Sequence, residues 1–381
     1  MLAIPEDVAA ALDDVETVSE VAAVAQYRGQ STPLNLDTDG EFTWDANGEV
    51  QCTGGVRVFG FGDSLVPKSR DAFLAPFGQE ITVSRVVKLR SGDVPIPLGV
   101  FRITGNDGGR ESYRWERRPV TGDAPFMYRT APARTGTVLD WEVGVSLSDR
   151  MRMLQRGKII NPASPPVGAT VYSELRRLSL FPLLPSPDVP DVPVPAGTVY
   201  EDRRSAMSAL AGFAGAKLRV TRQGALTLRP ADRWATETDL EFDLDGVVEF
   251  SDEQTDEFYN YVWAHSPNGE FSAFASLEDD SDPRSVGRAG PSTYEHSSPV
   301  YTSTGAAQSG ARTVLTRLLN RRSRTVTVKV GAVGLLLDLS DYGRVTDPAT
   351  GRTVTGEVSG LRVSNDPTAL VEVSLIVAED S

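Results

Sequence analysis

Apolar residues recur at every second position in two widely separated stretches of this chain, and few sequence patterns restrict a fold more. Val371, Val373, Leu375 and Val377 alternate near the end, and Leu218 and Val220, then Leu226 and Leu228, do so in the middle. Side chains two apart on an extended chain point to one side, so each stretch is a strand with one buried face. From Val18 to Ile103, short runs rich in Val, Thr, Phe and Ile are punctuated by Gly, Asn and Asp, with strands predicted over 55–61, 81–89 and 98–104. The last part of the chain predicts strands again, over 325–330, 335–339, 353–358 and 369–377. The fold class expected is mainly β, with an α+β middle.

That middle begins with a short strand at 142–147, after which Ser148 and Asp149 are placed to cap a helix through Met151 and Leu154 to Gly157. A second helix, 170–180, puts Val171, Leu175 and Leu178 on one face. The prolines of 180–197 forbid helix and central strand alike, which predicts an extended surface linker. In 201–230, Met207, Leu210, Phe213 and Ala214 form a helical stripe that Gly215 ends. Two alternating strands follow around Gly224. Residues 265–310, rich in Ser, Gly, Asp and Pro, predict a long loop. After it, Ala311, Val314, Leu315, Leu318 and Leu319 mark a helix. At the N-terminus, Pro5, Glu6 and Asp7 open a short helix over 4–12 that reads as an arm.

At 381 residues the chain exceeds one ordinary core, so two or three domains are expected. Hydrophobic residues at 40% and charged residues at 24% are enough to fold most of it. The net charge of -14 argues against a DNA-backbone ligand, which needs Lys and Arg to displace counterions. The same charge suits a surface past which DNA slides. Cys52 stands alone, so no intrachain disulfide framework or thiolate zinc cage is expected, and it reads as a small buried hydrophobe. The acidic N-terminus lacks a signal peptide's basic start, and no run of roughly 18 apolar residues predicts a membrane span.

Two motifs suggest chemistry. The segment LEFDLDGVVEF, 240–250, resembles the nucleophile loop of haloacid-dehalogenase-type phosphatases. That reading makes Asp243 the nucleophile and Asp245 the acid/base of a Mg-dependent phosphatase or hydrolase. Glu241 interrupts the apolar strand such a loop follows, and the only downstream lysine, Lys329, falls in a predicted strand, so a turn between strands is favoured. Asp37 and Asp39 before Gly40 resemble the start of a calcium loop, but Gly48 stands where its closing Glu belongs. His265 and His296 are too few for a zinc site without cysteines, and no Gly-x-Ser-x-Gly elbow occurs. No catalytic residue, cofactor or metal is assigned. Arg312, Arg317, Arg321, Arg322 and Arg324 are the densest basic cluster, at the end of a predicted helix, and read as an ion-pair face at a subunit interface.

Several segments in order resemble the tail hub, or minor tail, proteins of actinobacterial siphophages, relatives of contractile-phage baseplate hubs and of tail-associated N-terminal regions. They are LAPFGQEITVSR (74–85), VPIPLGVFRIT (94–104), VSLSDRMRMLQRG (145–157), 201–230, and 311–377 around LLLDLSDYGRV. Where that family has Gly-Asp-x-Val, this chain has Ser340, Asp341, Tyr342 and Gly343. The resemblance implies a non-enzymatic homotrimer at the tail tip of the virion, each copy giving two tube-like β-barrels to a pseudo-sixfold ring that continues the tail tube and passes DNA. It divides the chain into an arm and first barrel (1–138), a mixed region (139–235) and a second barrel (236–381). Its partners would be a distal tail protein or tail-tube ring, the tape measure protein and other tail-tip or receptor-binding proteins. The alternatives are another tail component, such as a distal tail or receptor-binding protein, and the phosphatase above.

Overall fold

The computed structural model describes residues 12, 19–89, 92–117, 134–160, 163–231, 242–244, 247–254, 258–320, 324–347 and 349–377. The first part is seven strands: β1 (Ser19–Tyr27), β2 (Gln30–Asp45), β3 (Cys52–Phe61), β4 (Glu80–Leu89), β5 (Gly92–Asn106), β6 (Arg110–Arg117) and β7 (Arg134–Ser148). Hydrogen bonding runs β1-β4-β5-β7-β3-β2, and the β1–β2 hairpin, Ala23 opposite Leu34, brings the path back to its start. The pairing thus closes on itself, while the second half of β2, past its β1 partners, is left to pair elsewhere. The predicted helix at 4–12 lies outside the described residues except for Leu12, which is helical and buried in the main core.

The middle region holds α1 (Met151–Arg156), α2 (Val171–Leu178), α3 (Arg203–Phe213) and the hairpin of β8 (Ala216–Val220) and β9 (Leu226–Pro230). It has its own core, in which Met151, Leu154, Leu175, Met207, Leu210 and Leu228 are fully buried. Phe213, expected on the buried stripe of α3, is exposed, and Ala206 and Ala211 pack inward instead.

The last part contains β10 (Phe242–Leu244), β11 (Val247–Gln254), β12 (Tyr261–His265), β13 (Ser272–Ser276), the single turn α4 (Val286–Ala289), β14 (Thr293–Ser297), α5 (Thr304–Asn320), β15 (Arg324–Val330), β16 (Tyr342–Thr346), β17 (Thr353–Ser364) and β18 (Val371–Val377). The order β10-β16-β17-β18-β15-β11 makes a second sheet of six strands, hydrogen-bonded with the first seven into one 13-stranded whole. Inward residues alternate along its strands, as in Val326, Val328 and Val330 of β15. The two sheets join edge to edge: β2 pairs antiparallel with β17, Phe42 opposite Val363 and Trp44 opposite Leu361. One continuous core therefore runs through both, and the protein is mainly β.

Three segments depart from the sequence reading. The expected strand 335–339 is instead a 3-10 turn, Ala332–Leu336. Leu335, Leu336 and Leu337 are all buried, and three consecutive residues cannot share one face of a strand. The expected loop 265–310 is folded: β13-β12-β14 form a small sheet on α5, which starts at Thr304 and buries Ala307, Ala311 and Leu315. Ala and Val make up most of this core, beside Tyr301 and Leu315, so composition resembles that of a loop. Asn260, wholly buried, donates to Arg284 O and Gly290 O (2.7 Å each) and accepts from Ser292 N (2.8 Å), stapling the acidic stretch between. This unit is inserted between β11 and β15, which pair at Gln254 and Arg324 where it leaves and rejoins the sheet. The 180–197 linker is a strap packed on the middle core, with Val189 buried and Leu183 bridged to Leu226.

Candidate functional site

The described members of the predicted arginine cluster do not share one face. Arg312 is exposed on α5; Arg317 is half-buried and reaches Gly212 O on α3 (3.5 Å); Arg324 is buried at the head of β15. Arg321 and Arg322 lie outside the described residues. A groove of about 730 Å³ separates α3 from α5. Burial, with Arg317 and His265 adding to it, holds His296 in its wall below the ordinary histidine range.

Asp243 sits on the outward face of β10 between buried Phe242 and Leu244. Its register partner on β16 is Arg344, whose guanidinium hydrogen-bonds the carboxylate and lowers its pKa. A half-exposed carboxylate so tied is a cross-strand ion pair rather than a nucleophile aimed into a phosphate pocket. Asp245 lies outside the described residues. Asp37 and Asp39 fall within β2, at a register shift between Leu36 and Gly40, and not in a turn.

The densest polar chemistry lies where the β8–β9 hairpin enters the junction of the two sheets. Gln51 of the first sheet pairs with the β8 backbone like an added strand residue, donating to Leu218 O (2.6 Å) and accepting from Val220 N (3.2 Å). Arg219 donates to Ala46 O (3.1 Å) on one side and Ser340 Oγ (3.0 Å) on the other. Arg222, in the hairpin turn, donates to Pro97 O (3.1 Å) of the first sheet and to Leu335 O (2.6 Å) and Leu337 O beside the second. Burial lowers its pKa, and its guanidinium lies 5.8 Å over the Trp44 ring. Lys217 pairs with Glu357 (2.7 Å), Arg229 with Asp341 (3.5 Å) and Arg150 with Glu80 (2.6 Å). Arg85 adds a separate clamp, donating to Ser364 O (2.7 Å) and Asn365 O (3.3 Å) at the end of β17.

Asp149 completes the junction. Its carboxylate accepts from Gln51 N (2.9 Å), Cys52 N (2.8 Å) and Met151 N (2.9 Å), tying the start of α1 to the first sheet. Sequence spacing pointed to Asp149 as a cap. It gave no signal for Arg219 and Arg222, because alternation assigns a hairpin one wet face, and here both faces of β8 are covered. Guanidiniums bonded to backbone carbonyls have no proton to give or take near neutral pH, so this chemistry fixes geometry rather than turning over a substrate.

The overall fold has counterparts among solved structures. A tail protein from Neisseria meningitidis MC58 superposes with a TM-score of 0.54 at 13% identity, covering 95% of this chain and 97% of its own. The 43 kDa tail protein of prophage MuSo2 from Shewanella oneidensis does so with a TM-score of 0.53 at 12% identity, over 93% and 98%. The chain has a phage tail protein fold. At these identities the likeness is one of fold, and no family profile or curated protein sequence matches the chain. Because the overlap runs almost end to end on both sides, this tail-protein fold includes the middle region and the inserted unit as well as the two sheets.

Proposed function

We propose that this protein is a structural, non-enzymatic hub of a phage tail tip, acting as a homotrimer that closes the tail tube and through which DNA passes. The observation that carries this reading is the near end-to-end overlap with the Neisseria tail protein, taken with two sheets joined edge to edge in each copy. Three copies then present six sheets, the number needed to dock on a sixfold tube ring or distal tail protein. Its tip position makes the tape measure protein and receptor-binding proteins its other neighbours in the virion. Arg312, exposed on α5, is the described member of the basic cluster best placed for a subunit contact.

The test is the mass of the purified chain by light scattering, followed by electron microscopy of the particles. Three copies in a threefold ring are expected at concentrations that support assembly. A stable hexamer indicates a distal tail ring instead, and a stable dimer overturns both.

A further inference from the structure

We propose that the outward face of the β13-β12-β14 sheet is a binding site for a neutral oligosaccharide. The inserted unit buries Val262 and Ala264 against α5, so the opposite face of β12 is not needed to form its core. That face nevertheless carries aromatic rings. Trp263 is 39% and Phe274 60% exposed, and they stand opposite each other in the β12–β13 register. Tyr261 lies nearly parallel to Phe274, centroids 6.0 Å apart, and His265 lies against Trp263 at 4.5 Å. The four rings form one patch. Trp and Phe left in water on a face the fold does not require mark a binding surface.

The chemistry around the rings selects the ligand. Across the sheet, Tyr261 is flanked by Ser276 and Thr293, and His265 by Ser272 and Ser297. In the row between them, Trp263 has Glu295 as its other neighbour, and His265 Nε2 fixes that carboxylate at 2.9 Å. Rings flanked by hydroxyls and one held carboxylate match a pyranose, which offers an apolar C–H face and a rim of hydroxyls. None of the three strands contains Lys or Arg, so nothing on them neutralises a phosphate, and nucleic acid or an anionic lipid surface is the poorer fit. A protein contact of this size would centre on apolar residues and leave Glu295, in the middle row beside Trp263, charged at its centre, where interfaces are depleted in acidic residues.

The experiment is saturation-transfer NMR of the full chain with cellohexaose, chitohexaose and maltohexaose, with sedimentation velocity on the same samples. Expected is transfer to at least one hexasaccharide, weakened about tenfold by Trp263→Ala and again by Phe274→Ser, with both variants melting within about 2 °C of the wild type. No transfer to any of the three at about 10 mM overturns the proposal, as does binding that Trp263→Ala leaves unchanged. If the substitutions instead separate copies of the chain in sedimentation, the face is a protein contact and the proposal fails. Neither result bears on the number of copies in the wild-type ring.

Discussion

Arg222, in the turn between β8 and β9, places its guanidinium 2.6 Å from the carbonyl oxygen of Leu335, more than a hundred residues along the chain. The same group holds Pro97 O at 3.1 Å, so one side chain bonds backbone from both sheets. Replacing Arg222 by Ala leaves those buried carbonyls without a donor, and a charged-donor bond of this kind contributes about 2 to 3 kcal/mol. Arg222→Ala is expected to lower unfolding stability by about 3 kcal/mol in urea titration, and Arg222→Lys to recover only part, since an ammonium lacks the planar fork. A loss below about 1 kcal/mol for Arg222→Ala would show that the hairpin does not lock the junction.

Asp149 makes stability depend on pH. Burial raises its carboxyl to about 6 despite three backbone N–H donors, against an ordinary value of 3.8. The folded state therefore holds the proton more tightly than the unfolded state. Its contribution is full below the unfolded value and is lost as pH rises through about 6. Across that window the wild type should lose about 3 kcal/mol relative to Asp149→Asn, which does not titrate. Parallel stability curves for the two proteins between about pH 4 and 6.5 would contradict the assignment.

The Pro-rich strap carries a cap that its composition hides. Asp191 accepts from Thr170 Oγ1 (2.8 Å) and from Tyr172 N (3.0 Å) at the start of α2. Truncating it to Ala removes acceptors from a helix N-terminus, which costs about 1 kcal/mol. A matching drop in urea midpoint is expected for Asp191→Ala, while Asp188→Ala in the same strap should change stability by under about 0.5 kcal/mol. Equal effects from both would mean the strap stabilises through charge in general and not through this cap.

Alternation in β15 and β18 was readable because each strand has one apolar face, and α2 because Val171, Leu175 and Leu178 recur at helical spacing. What the sequence hid shares a physical cause. The inserted unit is held by Ala307, Ala311 and the amide of Asn260, residues that loops also contain. Arg219 and Arg222 look like solvent residues until two sheets close over them. The basic cluster at 312–324 read as one face only because sequence proximity stood in for direction: Arg324 opens a strand and turns inward, whereas Arg312 faces water from a helix.

If the chain lines a path for DNA, as proposed above, the wall of that path should not hold the duplex. Net charge is -14, and Arg85, Arg219, Arg222 and Arg324 are buried in the protein rather than presented to solvent. A surface rich in carboxylates repels phosphates over a screening length of about 8 Å, whereas exposed Lys and Arg would bind by releasing counterions. The proposed ring is therefore expected to have a mainly acidic channel wall, and the purified protein to leave duplex DNA unretarded in a gel shift at roughly 150 mM salt. Lowering the salt to about 50 mM lengthens the repulsion and should not induce binding, the reverse of what a basic groove does. Retardation that grows as salt falls, or an assembled ring with arginines lining its pore, would refute this picture of the channel.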